Sequence, residues 1–302
     1  MSNREMAWTT WEKVAGPGLD FTDILYEKKH HKEFEGGAAR VSVNRPQRYN
    51  AFTMHTLDEM FRAFYDASHD PMIGSVILTG VGDHFGAGGD VAWEQWGLRE
   101  QFYWRYTPNR LVRMCRKPVI AMVKGYCIGG SNHLAYCCDF TIASDTAILG
   151  QNGPRVSSPA DGYFIPYLTR VIGAKRAREM WMLCRRYTAH EAREMGLVNR
   201  VVPLDRLEEE VDKWCEELLQ VSPGVLETLK AAFDQEMDMF PELGVVSGMM
   251  YPDWFDMPEG KEGAMAFLEK RKPRFWAIRK QEAELHRKLR EELGKSPDSP
   301  KT

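Results

Sequence analysis

The sequence predicts an α/β fold that passes into a helical C-terminal region. Strand, turn and helix signals alternate as far as Pro203, and beyond it residues 207–219 and 225–237 carry the 3.6-residue apolar period with no further strand. Two glycine-rich turns, one from His84 to Asp90 and one from Gly125 to Gly130, each follow a strongly apolar run, which puts both at the ends of buried strands.

In chain order, residues 1–21 show no clear period and read as a surface extension. Residues 24–28 and 39–44 read as paired strands around the turn Glu35-Gly36-Gly37. Pro46 ends the second strand, and Asn50 precedes an amphipathic helix through Leu57, Met60, Phe61 and Phe64. The strand 75–79 leads to the first glycine turn. After it, Trp93, Trp96, Phe102, Tyr103, Trp104 and Tyr106 crowd together, a density that serves a core, an interface or the wall of a ligand site. Residues 118–123 form a buried strand, and a helix starts at Ser131 after the second turn. A strand at 140–144 follows, and 148–151 lead into G-P-R-V-S-S-P-A-D-G-Y. Helical periods cover 165–172, 175–187 and 190–195, ahead of 198–202 and the break at Pro203. The charged stretch 276–293 continues as helix, and the polar 294–302 read as a disordered tail. The expected organisation is an extension over 1–21, a core over 22–203, a helical region over 204–293 and that tail.

The segment K-P-V-I-A-M-V-K-G-Y-C-I-G-G-S-N-H, from Lys117 to His133, is the functional centre of this plan. Adjacent glycines let the backbone approach a ligand closely, and the free N–H groups at the start of the next helix favour negative charge. If the turn ending in Asp90 adds a second donor, the pair stabilises an enolate or tetrahedral oxyanion by several kcal/mol.

Composition narrows the alternatives. The chain has 302 residues, 43% hydrophobic content and a formal charge of -3, so a large core is available and there is no global reason to expect nucleic acid. The six cysteines form no C-x-x-C pair and read as reduced, buried thiols. The start lacks an apolar signal core and no run approaches the ~18 apolar residues of a membrane span, so a soluble, cytoplasmic protein is expected. The turn 80–86 has the wrong spacing for G-x-G-x-x-G, and P-loop, nucleophile-elbow and zinc H-E-x-x-H motifs are absent. No metal or redox cofactor is expected.

The two glycine turns in this order, with R-P-x-x-x-N-A-F at 45–52, resemble the crotonase (enoyl-CoA hydratase/isomerase) superfamily over roughly residues 24–275. The resemblance implies a spiral of ββα units with a helical trimerisation region, and N–H donors at Gly89 and Gly130. It further implies coenzyme A contacts at Arg48, Ala87 and Lys270, and a homotrimer or homohexamer. The two glutamates that activate water in the hydratases are replaced here by His133 and Gly153. G-Q-N-G-P-R-V-S-S and A-R-E-M-W-M-L-C-R-R-Y-T-A-H-E-A-R-E-M-G-L-V-N look most like dihydroxynaphthoyl-CoA synthase and 2-ketocyclohexanecarboxyl-CoA hydrolase.

In some relatives of that type a bound bicarbonate serves as base, which would fall to Gln151, Gly153 and Trp181. Departures from the subgroup are Ala160 with Asp161 one place later, and Phe255 in place of a tyrosine, with Tyr251 out of register. Asp161 coincides with the catalytic aspartate of dienoyl-CoA isomerases and is expected to transfer the proton, the alternative being a helix N-cap. His133 is expected as a second acid/base with an ordinary pKa near ~6.5, or as a packed histidine. Ser158 and Tyr163 are further candidates for orienting a ring carbonyl. The expected substrate is a cyclic acyl-CoA, and the favoured reaction is hydrolytic ring opening. Ring closure, isomerisation or hydration remain alternatives, and the basic Lys270-Arg271-Lys272 leaves a non-catalytic CoA-ester or RNA-binding protein open.

Overall fold

The computed structural model describes residues 7–96, 108–158, 160, 163–235 and 254–293. The first half comprises β1 (Glu12–Lys13), β2 (Ile24–His30), β3 (Gly37–Val43), α1 (Met54–His69), β4 (Ile73–Gly80), α2 (Val91–Trp96) and α3 (Pro108–Met114). The centre comprises β5 (Val119–Val123), β6 (Tyr126–Ile128), α4 (Gly130–Cys137), β7 (Phe140–Ser144), β8 (Ile148–Gly150), α5 (Gly153–Val156) and α6 (Phe164–Ile172). Then follow α7 (Ala174–Met182), β9 (Arg186–Thr188), α8 (Ala189–Glu194), β10 (Arg200–Val202), α9 (Leu207–Leu219), α10 (Pro223–Asp234), α11 (Pro258–Leu268) and α12 (Phe275–Leu293).

Among the described residues, seven strands form one sheet in the order β1-β2-β3-β4-β5-β7-β10, and β6-β8-β9 form a second. The first three strands pair antiparallel, and from β3 to β10 all pairings are parallel. Every residue of β5 is buried, as a central strand covered on both faces requires. Between Val119 and Gly150 the chain alternates between the sheets, β5 and β7 entering the first and β6 and β8 the second, with α4 in the corner between them. That alternation, followed by the helices α9 to α12, is the architecture the crotonase resemblance implies. The corner is where both glycine turns lie.

Three expectations change. Residues 7–13 are not a surface extension: Trp8 is 4% exposed, its indole N–H donates to Glu216 at 3.1 Å, and β1 pairs with β2. An indole with a partner for its N–H is well suited to cover the edge of a sheet. The helix read over 175–187 stops at Met182, because Cys184 takes φ +50 and turns the chain into β9, which pairs with β8. The helical region does not begin beyond the core either. Leu207, Val211 and Cys215 of α9 pack on Ile77, Ile120 and Ile142 of the first sheet. Phe102, Tyr103, Trp104, Tyr106 and Tyr251, with the side chains of Trp96 and Phe255, lie outside the described residues.

Candidate active site

The glycine turns are held by the side chains of Asn50, from the 45–52 turn, and Ser131, from the start of α4. Asn50 donates through Nδ2 to the carbonyls of Val81 at 2.9 Å and His84 at 2.7 Å, and its Oδ1 accepts the Arg45 N–H at 3.0 Å. The turn at 45–52 therefore clamps the loop that opens the first glycine turn. Ser131 Oγ accepts the Gly88 N–H at 2.9 Å, which ties the first turn to the helix of the second. Phe52 N–H donates to Gly88 O and Asp90 N–H to Phe52 O, both at 2.9 Å, so Gly89 is held in register with its own N–H outside that ladder.

Gly88 takes φ +94, and a Cβ on it would come 2.9 Å from Gly130 N, so a side chain there would push the turns apart. A Cβ on Gly130 would lie 3.4 Å from Gly89 N, which shows how near the two expected donors stand. Neither the Gly89 nor the Gly130 N–H donates to a backbone carbonyl among the described residues. Gly130 is the first residue of α4, where an N–H has no partner within its helix.

Both glycines line a cleft of about 630 Å³, a size typical of ligand sites. Arg48, Ala87, His133, Gln151, Gly153, Ser158, Trp181 and Lys270 line it too, so it gathers ten of the twelve expected site residues. Arg186, which the sequence reading missed, also lines it and stands 5.7 Å from the Tyr126 ring, while the Tyr49 and Tyr126 rings are 6.2 Å apart. Phe52, Leu57, Ile128 and Phe164 supply apolar wall.

His133 is not a histidine of ordinary pKa. It is 7% exposed, stacks on Phe164 with centroids 4.4 Å apart and lies 5.1 Å from the Trp181 ring. This burial pushes its pKa down to about 3, with the Gln151 hydrogen bond opposing. Its Nε2 is 3.2 Å from Gln151 Oε1, an acceptor, so Nε2 carries the hydrogen of the neutral ring. The unfolded chain protonates this histidine below about 6.5 and the folded one does not. The contribution of this group to stability is therefore complete above pH 6.5 and is lost progressively as the pH drops from there toward 3. His133→Asn is expected to flatten that acid limb in urea unfolding; an unchanged limb would contradict the neutral assignment.

Gln151 fixes His133 through its oxygen, and its Nε2 is buried without a partner, as is Trp181 Nε1, among the described residues. Two buried N–H donors with nothing to donate to are costly unless a ligand oxygen completes them. That donor set fits a carbonyl oxygen or a small oxyanion. Gly153 lines the cleft, and a Cβ there would meet Ser158 O at 2.7 Å, so its missing side chain also admits the returning backbone.

Tyr163 does not line the cleft: it is 5% exposed within the core and stacks on Tyr167 at 4.9 Å. Residue 163 opens α6 with its ring on the core side of the helix. Asp161 lies outside the described residues, between the cleft-lining Ala160 and the core residue Tyr163.

A carboxylate that sequence reasoning missed, Glu94 on α2, occupies this region. Asp90 caps that helix, accepting the Trp93 N–H at 3.3 Å on Oδ1 and the Glu94 N–H at 2.8 Å on its carbonyl, while Oδ2 pairs with Arg45 at 3.2 Å. The cap aims Glu94 back over the turn, where a Cβ on Gly89 would overlap its Oε1. Burial raises the Glu94 pKa to about 7, the Ser158 hydroxyl hydrogen bond lowers it, and the Asp90 charge raises it. The one signal in the sequence was the Asp90/Glu94 spacing of one helical turn.

Comparison with known proteins identifies the family. The family described as enoyl-CoA hydratase/isomerase matches residues 33–277. Among solved structures, an enoyl-CoA hydratase/carnithine racemase from Magnetospirillum magneticum is 30% identical, covering 85% of this chain and 96% of its own, with a TM-score of 0.66. A monofunctional enoyl-CoA isomerase from M. smegmatis is 29% identical over 72% of this chain and 95% of its own, with a TM-score of 0.58. Methylmalonyl-CoA decarboxylase in complex with 2-nitronate-propionyl-CoA, 24% identical over 85% of this chain and 99% of its own, has a TM-score of 0.72 and shows the shared fold. With the family match spanning most of the chain and the paired glycine turns at its centre, the protein belongs to the enoyl-CoA hydratase/isomerase family of the crotonase superfamily.

Proposed function

We propose that this protein hydrolyses a cyclic β-oxoacyl-CoA by opening its ring. The observation that carries this reading is a cleft with two sets of hydrogen-bond donors. The Gly89 and Gly130 N–H groups suit a thioester oxygen, and the unpartnered Gln151 Nε2 and Trp181 Nε1 suit a second oxygen, such as a ring ketone. Phe52, Phe164 and Trp181 suit an alicyclic or aromatic-derived acyl group, and Arg48, Arg186 and Lys270 suit the phosphates of coenzyme A. Water adds to the ring ketone, the bond between that carbon and the α-carbon breaks, and its electron pair passes into the thioester enolate held by the glycine turns. The hydratase route through two glutamates finds a neutral His133 and Gly153 at its positions.

The family resemblance supports Asp161 as a proton-transfer carboxylate. Bicarbonate fits the same Gln151 and Trp181 donors and would supply a base there. The exposed apolar side chains of α12, with Trp276 at 86%, support a homotrimer or homohexamer.

Mass-spectrometric turnover of 2-oxocyclohexanecarboxyl-CoA, a bicyclic analogue, o-succinylbenzoyl-CoA, a cyclic dienoyl-CoA and crotonyl-CoA tests the reading. A gain of one water by the cyclic β-oxo thioesters, to give an open-chain carboxylic acid, is expected. Loss of water from o-succinylbenzoyl-CoA, a moved double bond, or no turnover at all would overturn it in favour of ring closure, isomerisation or a binding protein. Full activity of Asp161→Asn removes that residue from the mechanism, and loss of turnover without added bicarbonate makes the anion the base.

A further inference from the structure

We propose that Glu94 is a catalytic acid–base residue of this cleft, its carboxyl group moving the proton that the α-carbon gains or loses while the Gly89 and Gly130 N–H groups hold the thioester oxygen. The assignment rests on the enolate reading above and gives the α-carbon proton to Glu94 rather than to Asp161 or bicarbonate. Glu94 lines the cleft, its Oε1 lies against Gly89, and Ser158, another wall residue, hydrogen bonds to it. Because Oε1 lies against Gly89, an enolate oxygen held on the Gly89 N–H would bring the acyl group to the wall that carries this carboxyl group.

The charges around Glu94 favour a group that exchanges protons near neutrality. Asp90 on the same helix raises its pKa, and Arg45 is engaged with Asp90. His133, from α4, is uncharged in this pH range. The helix α11 packs on α2, but its Glu262 is paired with Arg271, its Glu259 with Arg279, and its Lys261 lies 3.7 Å from Asp256. With its pKa pushed up to about 7, Glu94 supplies both a base and an acid at working pH.

The step balances. The Glu94 carboxylate takes a proton from water as the hydroxyl adds to the ring ketone. Collapse of the adduct forms the new carboxylic acid and breaks the ring bond, its electron pair passing to the α-carbon as the thioester enolate. The Glu94 carboxylic acid then returns its proton to that carbon.

The test is exchange of the α-proton of cyclohexanecarboxyl-CoA in D₂O, read by mass spectrometry, because exchange needs the oxyanion pair and a base but no ring ketone. The expected result is exchange by the wild type with an acidic limb near pH 7, and a loss of roughly 10²-fold or more in Glu94→Gln with little change in KM. Ser158→Ala, which removes the hydrogen bond that favours the carboxylate, is expected to move the limb upward by about 0.5 to 1 pH unit. A structural role for Glu94 would leave the limb in place, so this variant decides the matter if Glu94→Gln does not fold. No exchange by the wild type, undiminished exchange in Glu94→Gln, or a fixed limb in Ser158→Ala overturns the assignment. Exchange that depends on Glu94, together with no ring opening of 2-oxocyclohexanecarboxyl-CoA, overturns the substrate reading and leaves Glu94 in place.

Discussion

Gly88→Ala is expected to lower kcat by roughly 10² to 10³-fold, the size of effect seen when an oxyanion donor is displaced. Gly88 itself donates to Ser131 Oγ and not to substrate, so the loss comes through position. Its Cβ would press on Gly130 N from 2.9 Å, and φ +94 is a conformation that alanine adopts only under strain. Both effects spread the two turns, and the Gly89 and Gly130 N–H groups no longer converge on one oxygen. Because the change touches neither Arg48 nor Lys270, KM should move far less than kcat. Steady-state kinetics on the substrate that turns over, with thermal unfolding as control for folding, checks this. A kcat close to that of the wild type would mean that the turns do not form the oxyanion site.

Asn50→Ala should produce the largest loss of stability in the site region, about 3 to 4 kcal/mol in urea unfolding. The side chain is 1% exposed and makes three hydrogen bonds, and its removal leaves the carbonyls of Val81 and His84 and the N–H of Arg45 without that partner. Asn50 also sits at φ +54, where asparagine is tolerated better than alanine. The same substitution frees the loop into the first glycine turn, so activity should fall with stability. A loss below about 1 kcal/mol would show that the backbone alone holds that turn.

The paired glycine turns were legible in the sequence because they are local: apolar strand, glycine turn and helix start are contiguous, and each turn carries its own signal. The places of Arg48 and Lys270 in the cleft wall were legible for the same reason, each belonging to a short recognisable segment. What escaped was set by contacts between distant segments. Glu94 reads as an ordinary helical glutamate until Ser158 and Gly89 are seen beside it. That Gly153 also makes room for the Ser158 carbonyl shows only once residue 158 is seen beside it. Tyr163 reads as a candidate for orienting a ring carbonyl until its ring is found against Tyr167 in the core. Trp8 gave no periodic signal because its burial depends on β2 and on Glu216 from α9.

Turnover of 2-oxocyclohexanecarboxyl-CoA in doubly labelled water, D₂¹⁸O, tests the central claim most directly. The expected product carries one ¹⁸O in the newly formed carboxylate and at least one deuterium on the carbon next to the thioester, the marks of water addition to the ring ketone and of a protonated enolate. Label in a hydroxyl group of an intact ring, or ¹⁸O in a carboxylate released from coenzyme A, would contradict it.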